Sequence, residues 1–236
     1  PDGTGSQSIA ASVSRGSEKS VAMLLIKSGH GIKDAYAIPC NSATAQRALL
    51  AQIEEGVPMH DVSPDYLPQT LAQALDAHLP PAPGFLDVAQ MLELPDVTAY
   101  APVDPREIAD PDGLVANLSA QKRGRLINDS VNWPATTDIA SSWFISDADL
   151  SDALDLARTE RQAEQAVWTA FEAQRDLWAM TFARAAAVLL HAEEPVWQSL
   201  AAVVHGISSG RALKRTPIFE MLVDLTLDVA EEEGFE

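Results

Sequence analysis

The first forty residues alternate between polar and apolar positions in a pattern that predicts β-strands. Residues 8–14 alternate with a period of about two, as half-buried strands do. Residues 20–26 contain a nearly continuous apolar run, and a third short run over residues 32–38 stops before Pro39, which cannot donate a ladder hydrogen bond. Polar and glycine-containing turns separate the three runs. The sequence therefore predicts a three-stranded antiparallel β-meander.

The middle run has a further consequence for the sheet. Because the apolar residues are continuous from Val21 to Ile26, the pattern predicts a strand that is covered on both faces. On that prediction, Leu25→Asp would bury an unpaired carboxylate and cost several kcal/mol of stability.

After Pro39 the apolar residues recur at helical spacing to the end of the chain, except in one stretch. Residues 95–113 are rich in proline and acidic residues, which predicts a connector or a loosely helical linker. We therefore predict an α+β, mostly helical fold with a β-meander plus helices over residues 1–94 and a helical domain over residues 114–236, which ends in a long amphipathic helix and two shorter helices. The predicted helices cover residues 41–56, 63–79, 85–94, 114–131, 147–191, 196–207 and 217–232.

The long predicted helix carries large aromatic residues. Trp168, Phe171, Trp178 and Phe182 are spaced by 3, 7 and 4 residues, which places them on one face of a continuous helix. One interpretation is core packing against the last two helices. The other is a protein-binding face, because tryptophan is enriched at interface hot spots. We hypothesise a homodimer, with Trp168, Trp178 and Phe182 as candidate interface residues.

Composition and charge exclude several classes of protein. The chain has 236 residues, 47% of them hydrophobic, and 34 acidic against 16 basic residues give a formal net charge of −18. A free-standing nucleic-acid binder needs a basic surface, so we predict no nucleic-acid partner. The single cysteine, Cys40, excludes an intramolecular disulfide, and no apolar stretch is long enough to predict a membrane span. Because the chain lacks both an initiator Met and a signal peptide, we expect a fragment of a longer, cytoplasmic protein.

The N-terminal residues carry the one motif with a family resemblance. Asp2-Gly3-Thr4-Gly5-Ser6 resembles the first phosphate loop of the actin and sugar-kinase superfamily, and also the first carboxylate of ribonuclease-H-like nucleases. The resemblance implies a metal-holding Asp2 beside a phosphate-binding turn. His30, between two glycines, is a second candidate ligand-binding residue. The alternatives are a polar terminus for Asp2 and an exposed hairpin tip for His30.

Other polar clusters point to ordinary surface structure. No cluster of His, Asp and Glu has the spacing of a zinc site on a helix, and Asp110-Pro111-Asp112-Gly113 lacks the remaining ligands of a calcium loop. We therefore predict no metal site, no cofactor and no catalytic set, and interpret these clusters as solvated turns and helix ends. Two basic clusters, over residues 122–125 and 211–215, are interpreted as local ion-pairing partners.

Two functions follow from these observations. The first is a non-catalytic interaction or scaffold domain of a larger soluble, bacterial-type or cytoplasmic protein, which binds a protein partner or a second copy of itself. The alternative is a phosphate- or metal-dependent enzyme fragment, nuclease-like or phosphotransferase-like, that uses the N-terminal Asp/Gly turn. The sequence leaves open whether the chain is an enzyme.

Overall fold

The fold is α+β and mostly helical, which confirms the predicted class. The computed structural model describes residues 5–27, 30–56, 59–62, 66–75, 80–94, 104–129, 139–140 and 143–232. The chain divides into two compact units, Ser6–Val103 and Asp104–Glu236, so the division falls inside the stretch that was predicted as a connector. No helix among the described residues is both long enough and apolar enough to cross a membrane.

The N-terminal unit is built on the predicted antiparallel meander. Strands β1 (Ser6–Arg15), β2 (Glu18–Lys27) and β3 (Gly31–Cys40) pair in the order β1-β2-β3. A two-residue turn joins β1 to β2, and Gly16 in that turn has a φ of 57°, a conformation that glycine adopts without strain. Strand β3 continues through Pro39, which stands opposite Ser20. Proline is tolerated there because β3 pairs with β2 along one side only in the described sheet.

Strand β2 is covered completely on one face and only partly on the other, which corrects the prediction of cover on both faces. Leu24 and Ile26 are 2% and 0% exposed and belong to the core of the unit. On the opposite face, Val21 is also buried, but Met23 is half-buried and Leu25 is 39% exposed. An aspartate at position 25 would therefore reach solvent, so the predicted cost of Leu25→Asp is wrong.

Three helices pack against the sheet. They are α1 (Ala43–Gly56), α2 (Tyr66–Leu75) and α3 (Phe85–Met91). Helix α1 begins after Ser42, whose Oγ accepts a hydrogen bond from the Ala45 N–H and so serves as its N-cap. Gln46 then fixes α1 to the sheet, because its buried Nε2 donates to the carbonyl oxygens of Val13 and Ser20 at 2.9 and 2.6 Å. The core between these layers consists of Ala22, Leu24, Ile26, Ile32, Ala35, Leu71, Ala74, Phe85 and Val88.

Residues 104–236 form a helical unit with seven helices among the described residues. They are α4 (Pro105–Ala109), α5 (Ala120–Asn128), α6 (Ala148–Leu156), α7 (Glu160–Ala173), α8 (Arg175–His191), α9 (Trp197–Ser208) and α10 (Pro217–Glu232). Helix α9 packs against α8, α5 and α4. All residues from Leu200 to Val204 are apolar and buried, so α9 is covered on all sides along this stretch. It is therefore the central helix of the group formed by α4, α5, α8 and α9.

The predicted helix over residues 147–191 is three helices. Helix α6 ends at Leu156, and α7 begins after Thr159, whose side chain accepts a hydrogen bond from the Gln162 N–H. The Gln162 side chain in turn accepts one from the Arg158 N–H. Helix α7 ends at Ala173, and the next residue, Gln174, has a φ of −105° and a ψ of 19°. The Gln174 side chain donates to Asp147 Oδ2 at 3.0 Å, a contact with the start of α6 that sequence spacing does not encode.

Two stretches near residue 110 also differ from the prediction. Residues 104–113 were predicted as a connector or a loosely helical linker, whereas α4 within them packs against α8 and buries Ile108 and Ala109. The helix predicted from residue 114 begins only after Ser119, whose side chain accepts a hydrogen bond from the Lys122 N–H. The residues between α4 and α5 form turns, and these turns hold the site described next.

Candidate functional site

The two predicted ligand-binding residues do not form a described site. Asp2 lies outside the described residues, so its proposed role stays a prediction. His30 is exposed in the turn between β2 and β3, where its backbone N–H donates to the Lys27 carbonyl oxygen at 3.0 Å. This is the hairpin tip that the sequence offered as the alternative for His30.

The three predicted interface residues belong to an aromatic cluster inside the C-terminal unit. Trp178 and Phe182 are 1% and 0% exposed, with ring centroids 5.4 Å apart, and Trp168 is half-buried. The Trp168 ring meets Phe219 of α10 edge to face at 4.9 Å. Because Trp178 and Phe182 are covered by their own chain, their side chains are not presented to a second copy. The structure thus corrects the interface assignment of these two residues to core packing.

A buried carboxylate organises the turns between α4 and α5. The Asp110 side chain is 1% exposed, and it accepts hydrogen bonds from the N–H groups of Val115, at 3.0 and 3.1 Å to its two oxygens, and Ala116, at 2.7 Å. Gly113, with a φ of 66°, turns the chain back so that these two N–H groups face the carboxylate. Asp110 is therefore part of the framework of a tight turn, where the sequence was interpreted as a solvated one.

The same carboxylate holds a histidine. Nε2 of His205, on α9, lies 3.2 Å from Asp110 Oδ2, and the His205 side chain is 16% exposed. The contact with this carboxylate fixes the plane of the imidazole ring. His205 is thus held in a defined orientation at the edge of a cleft.

Three arginines reach the same cleft from three separate segments. Arg106 lies on α4, Arg123 on α5, and Arg211 follows α9. The cleft has a volume of about 390 Å³, and we call it the arginine cleft. Its described lining residues are Arg106, Ala116, Ala120, Arg123, Ile127, Ala202, His205, Gly206, Ser209 and Arg211.

Each arginine is positioned by a different contact. Arg106 bonds through Nε and Nη2 to the carboxylate of Asp104, the N-cap of α4. Nη1 of Arg123 donates to the carbonyl oxygens of Ala116 and Leu118 at 2.7 and 2.6 Å. These contacts hold two guanidinium groups in place before any ligand arrives.

The turn after α9 positions the third arginine. The Arg211 N–H donates to the Gly206 carbonyl oxygen at 2.9 Å, and Arg175 Nη2 donates to the Arg211 carbonyl oxygen at 2.7 Å. The Arg211 guanidinium lies over Gly124 of α5, where a Cβ would stand 3.6 and 3.7 Å from its two Nη atoms. The Arg211 guanidinium therefore packs directly beside Gly124 of α5.

The charges around the cleft are unevenly compensated. The hydrogen bond from the Arg106 side chain lowers the pKa of Asp104 below its ordinary value, and the charges of Arg106 and His205 act in the same direction. Asp104 therefore stays ionised and compensates Arg106. Neither Arg123 nor Arg211 forms an ion pair with any residue that the structure describes.

The sequence identified residues of this site but did not predict that they lie together. The basic clusters over residues 122–125 and 211–215 were interpreted as ion-pairing partners, yet they meet at the contact between Gly124 and Arg211. No periodicity links Asp110 to His205, which are 95 residues apart in the chain. Within the described part of the chain, no group of three or more His, Cys, Asp or Glu residues is arranged to hold a metal ion.

Replacing the buried carboxylate should destabilise the C-terminal unit. We expect Asp110→Asn to lower the free energy of unfolding by about 1–3 kcal/mol, because an amide cannot replace both charge-assisted acceptors. The exposed Asp112 of the same turn offers a matched control, and Asp112→Asn should change stability by less than about 0.5 kcal/mol. Urea unfolding followed by tryptophan fluorescence measures both, since all five tryptophans follow residue 104. Equal stability of the two variants would contradict the structural role of Asp110.

Comparisons with known proteins place the cleft inside a recognised domain. A family model described as the Y4lR C-terminal helical domain matches residues 106–231. The chain is similar to the uncharacterized protein y4lR of Sinorhizobium fredii, with 28% identity over 239 residues that cover 96% of this chain and 45% of the relative. The chain thus spans less than half the length of that relative. No solved structure matches the chain.

Proposed function

Because this chain belongs to the Y4lR C-terminal helical domain family, and the matched residues contain the whole arginine cleft, we propose that its C-terminal unit is a non-catalytic domain that binds an anionic group. The charge of the cleft carries the proposal. Its described lining residues include three arginines and a histidine but no carboxylate, although acidic residues outnumber basic ones 34 to 16 in the chain.

The unused N–H donors of the individual arginines support anion binding rather than a purely structural role. Guanidinium groups bind carboxylates and phosphates through pairs of parallel hydrogen bonds. Arg123 makes its described hydrogen bonds through Nη1 alone, and the Arg211 guanidinium makes none to the residues that the structure describes. An incoming anion would therefore find N–H donors that do not have to give up a protein partner.

This proposal refines the function predicted from the sequence, an interaction or scaffold domain of a larger protein. We also propose that the domain acts within a longer chain, and the length of the relative, of which less than half is covered, supports that view. A cytoplasmic location, binding of a protein partner and formation of a homodimer stay predictions of the sequence.

Titration with small anions tests the proposal. We expect at least one of phenyl phosphate, phenyl sulfate and benzoate to bind the wild-type chain in isothermal titration calorimetry. Arg211→Met should weaken that binding by about tenfold or more, because a hydrogen bond to a charged group contributes roughly 1.5–3 kcal/mol. The substitution leaves the backbone hydrogen bonds at position 211 intact, so the fold should be retained.

Arg215→Met is the matched control for this experiment. Arg215 is exposed, lies four residues further along the same segment and is not among the described lining residues, so its loss changes the net charge equally. We expect its affinity for the anions to match the wild type. Absence of binding by all three anions, or equal weakening in both variants, would contradict an anion site in the cleft.

The contact between His205 and Asp110 favours a second candidate, a hydrolase or phosphotransferase. A histidine oriented by a buried carboxylate is the arrangement of a general base. Ser209, which follows α9, is the hydroxyl residue among the described lining residues, and its Oγ donates to the Gly206 carbonyl oxygen at 3.0 Å. Its proton is therefore not directed at His205, and the reaction would use a water or a substrate group as nucleophile. Release of phenol from phenyl phosphate by the wild type, and its loss in His205→Gln, would establish the enzyme and overturn the non-catalytic proposal.

A further inference from the structure

We infer that the arginine cleft selects a phosphate monoester, a dianion carried on a small organic group. This inference rests on the proposed anion binding and names the class of ligand. Three observations carry it: the number of uncompensated charges, the distribution of N–H donors, and the apolar part of the lining.

The charge of the cleft matches a dianion. Asp104 compensates Arg106, and Asp110 faces His205. Arg123 and Arg211 are left with no ion-pair partner among the described residues. A phosphate monoester has a charge of about −1.5 to −2 at neutral pH and neutralises both, whereas a carboxylate or a sulfate monoester leaves one of them uncompensated.

The N–H donors suit a group with three terminal oxygens. Arg123 keeps Nε and Nη2 free of described hydrogen bonds, Arg106 keeps Nη1, and Arg211 contributes its whole guanidinium. These donors come from three segments and therefore approach the cleft from separate directions. A tetrahedral phosphate presents three oxygens to such donors, and a planar carboxylate presents two.

The lining of the cleft also includes apolar side chains, which favour an organic part on the ligand. They belong to Ala116, Ala120, Ile127 and Ala202, and Ala116 and Ala120 are exposed. The volume of about 390 Å³ lies at the small end of the range for sites that take organic ligands, roughly 300–1,000 Å³. Inorganic phosphate alone would leave this apolar surface hydrated.

Matched probes separate the contributions of charge and of the organic group. Isothermal titration calorimetry at about pH 7.5, where a monoester with a second pKa near 6 is a dianion, compares phenyl phosphate with phenyl sulfate and inorganic phosphate. Phenyl sulfate has the same shape but one charge, and inorganic phosphate has the charge but no ring. We expect phenyl phosphate to bind about tenfold tighter than phenyl sulfate, because its second negative charge neutralises the arginine that the sulfate leaves uncompensated. We expect a similar advantage of about tenfold over inorganic phosphate, from burial of the ring.

A substitution in the cleft tests whether the selectivity for phosphate arises there. In Arg211→Met, which lacks one uncompensated charge, the ratio of phenyl phosphate to phenyl sulfate affinity should fall towards one. In Arg215→Met the ratio should be that of the wild type. Capped phosphoserine then distinguishes the source of the ester: tighter binding than phenyl phosphate supports a phosphorylated protein segment, and weaker binding supports a free small ester.

The outcomes distinguish this inference from the function on which it rests. If phenyl sulfate or benzoate binds as tightly as phenyl phosphate, the cleft is an anion site without selectivity for phosphate, and the inference is wrong while the proposed function stands. If inorganic phosphate binds as tightly as phenyl phosphate, the organic part of the inference is wrong. If no probe binds, both fail.

Discussion

Leu24→Asp should unfold the sheet-containing unit or destabilise it by more than about 4 kcal/mol, the range in which a single substitution points to a buried charge or a large cavity. Leu24 is 2% exposed at the centre of β2, and Ile26, Leu71 and Phe85 belong to the same core. A carboxylate placed there has no partner and must either stay charged in an apolar site or take up a proton, and both are unfavourable. Far-UV circular dichroism during urea unfolding, with hydrogen exchange of residues 18–27, measures the effect on this unit.

The neighbouring residue provides the matched control. Leu25 is 39% exposed on the other face of β2, and it stands opposite Asp34 of β3. Leu25→Asp should cost about 1 kcal/mol, mostly from repulsion across the strand pair, and Leu25→Lys should be nearly neutral because its charge complements Asp34. If Leu25→Asp were as damaging as Leu24→Asp, β2 would be covered on both faces, as its apolar run suggested.

The sheet shows what an apolar run can and cannot predict. Alternation and turn residues were sufficient to predict three strands and their antiparallel order, although β3 continues through Pro39, where the sequence predicted its end. A run of apolar residues also predicts burial, but it does not distinguish a second covering layer from a partly open face. Leu25 and Tyr36 remain 39% and 46% exposed, and only the positions of the helices determine that.

The helix ends of the C-terminal unit show a similar limit of prediction from the sequence. The predicted last helix has the observed bounds, Pro217–Glu232, because a proline at its first position is a local signal. The start of α7 also had a local signal, Thr159 followed three residues later by Gln162, which is the pattern of a capping box. The break at Gln174 had no such signal, and the hydrogen bond from its side chain to Asp147 is a tertiary contact that sequence spacing does not encode.

The arginine cleft depends on contacts between residues that are distant in sequence. Both basic clusters were visible, but net charge favoured ion pairing as their explanation, because 34 acidic residues offer many partners. In the fold, the carboxylates nearest to the cleft are already engaged: Asp104 with Arg106, and Asp110 with two backbone N–H groups and His205. Which acid meets which base is set by packing of α4, α5 and α9, and sequence spacing does not reveal it.

Trp178→Ala should lower the free energy of unfolding of the C-terminal unit by about 3–5 kcal/mol, the usual effect of truncating a buried tryptophan. The ring is 1% exposed and contacts both Phe171 and Phe182, with centroids 6.4 and 5.4 Å away. Removing it leaves a cavity that these neighbours fill only in part, since each is fixed by further aromatic contacts, such as that between Phe182 and Trp143 at 5.0 Å. Urea unfolding followed by the fluorescence of the remaining tryptophans measures the change.

Trp178→Phe is the matched control, and the mass of the particle in solution decides between core and interface. The indole Nε1 of Trp178 is buried with no hydrogen-bond partner in the described part of the chain, so phenylalanine removes an unpaired donor while keeping most of the aromatic contact. We therefore expect Trp178→Phe to cost much less than Trp178→Ala, about 1–2 kcal/mol.

Light scattering of the wild type and both variants over a dilution series should show the same mass at each concentration. The contrary result would be a variant that unfolds like the wild type but shifts a monomer–dimer equilibrium by about 2 kcal/mol or more, which is the effect of a hot spot. Trp178 would then be an interface residue, and its assignment to the core would be wrong.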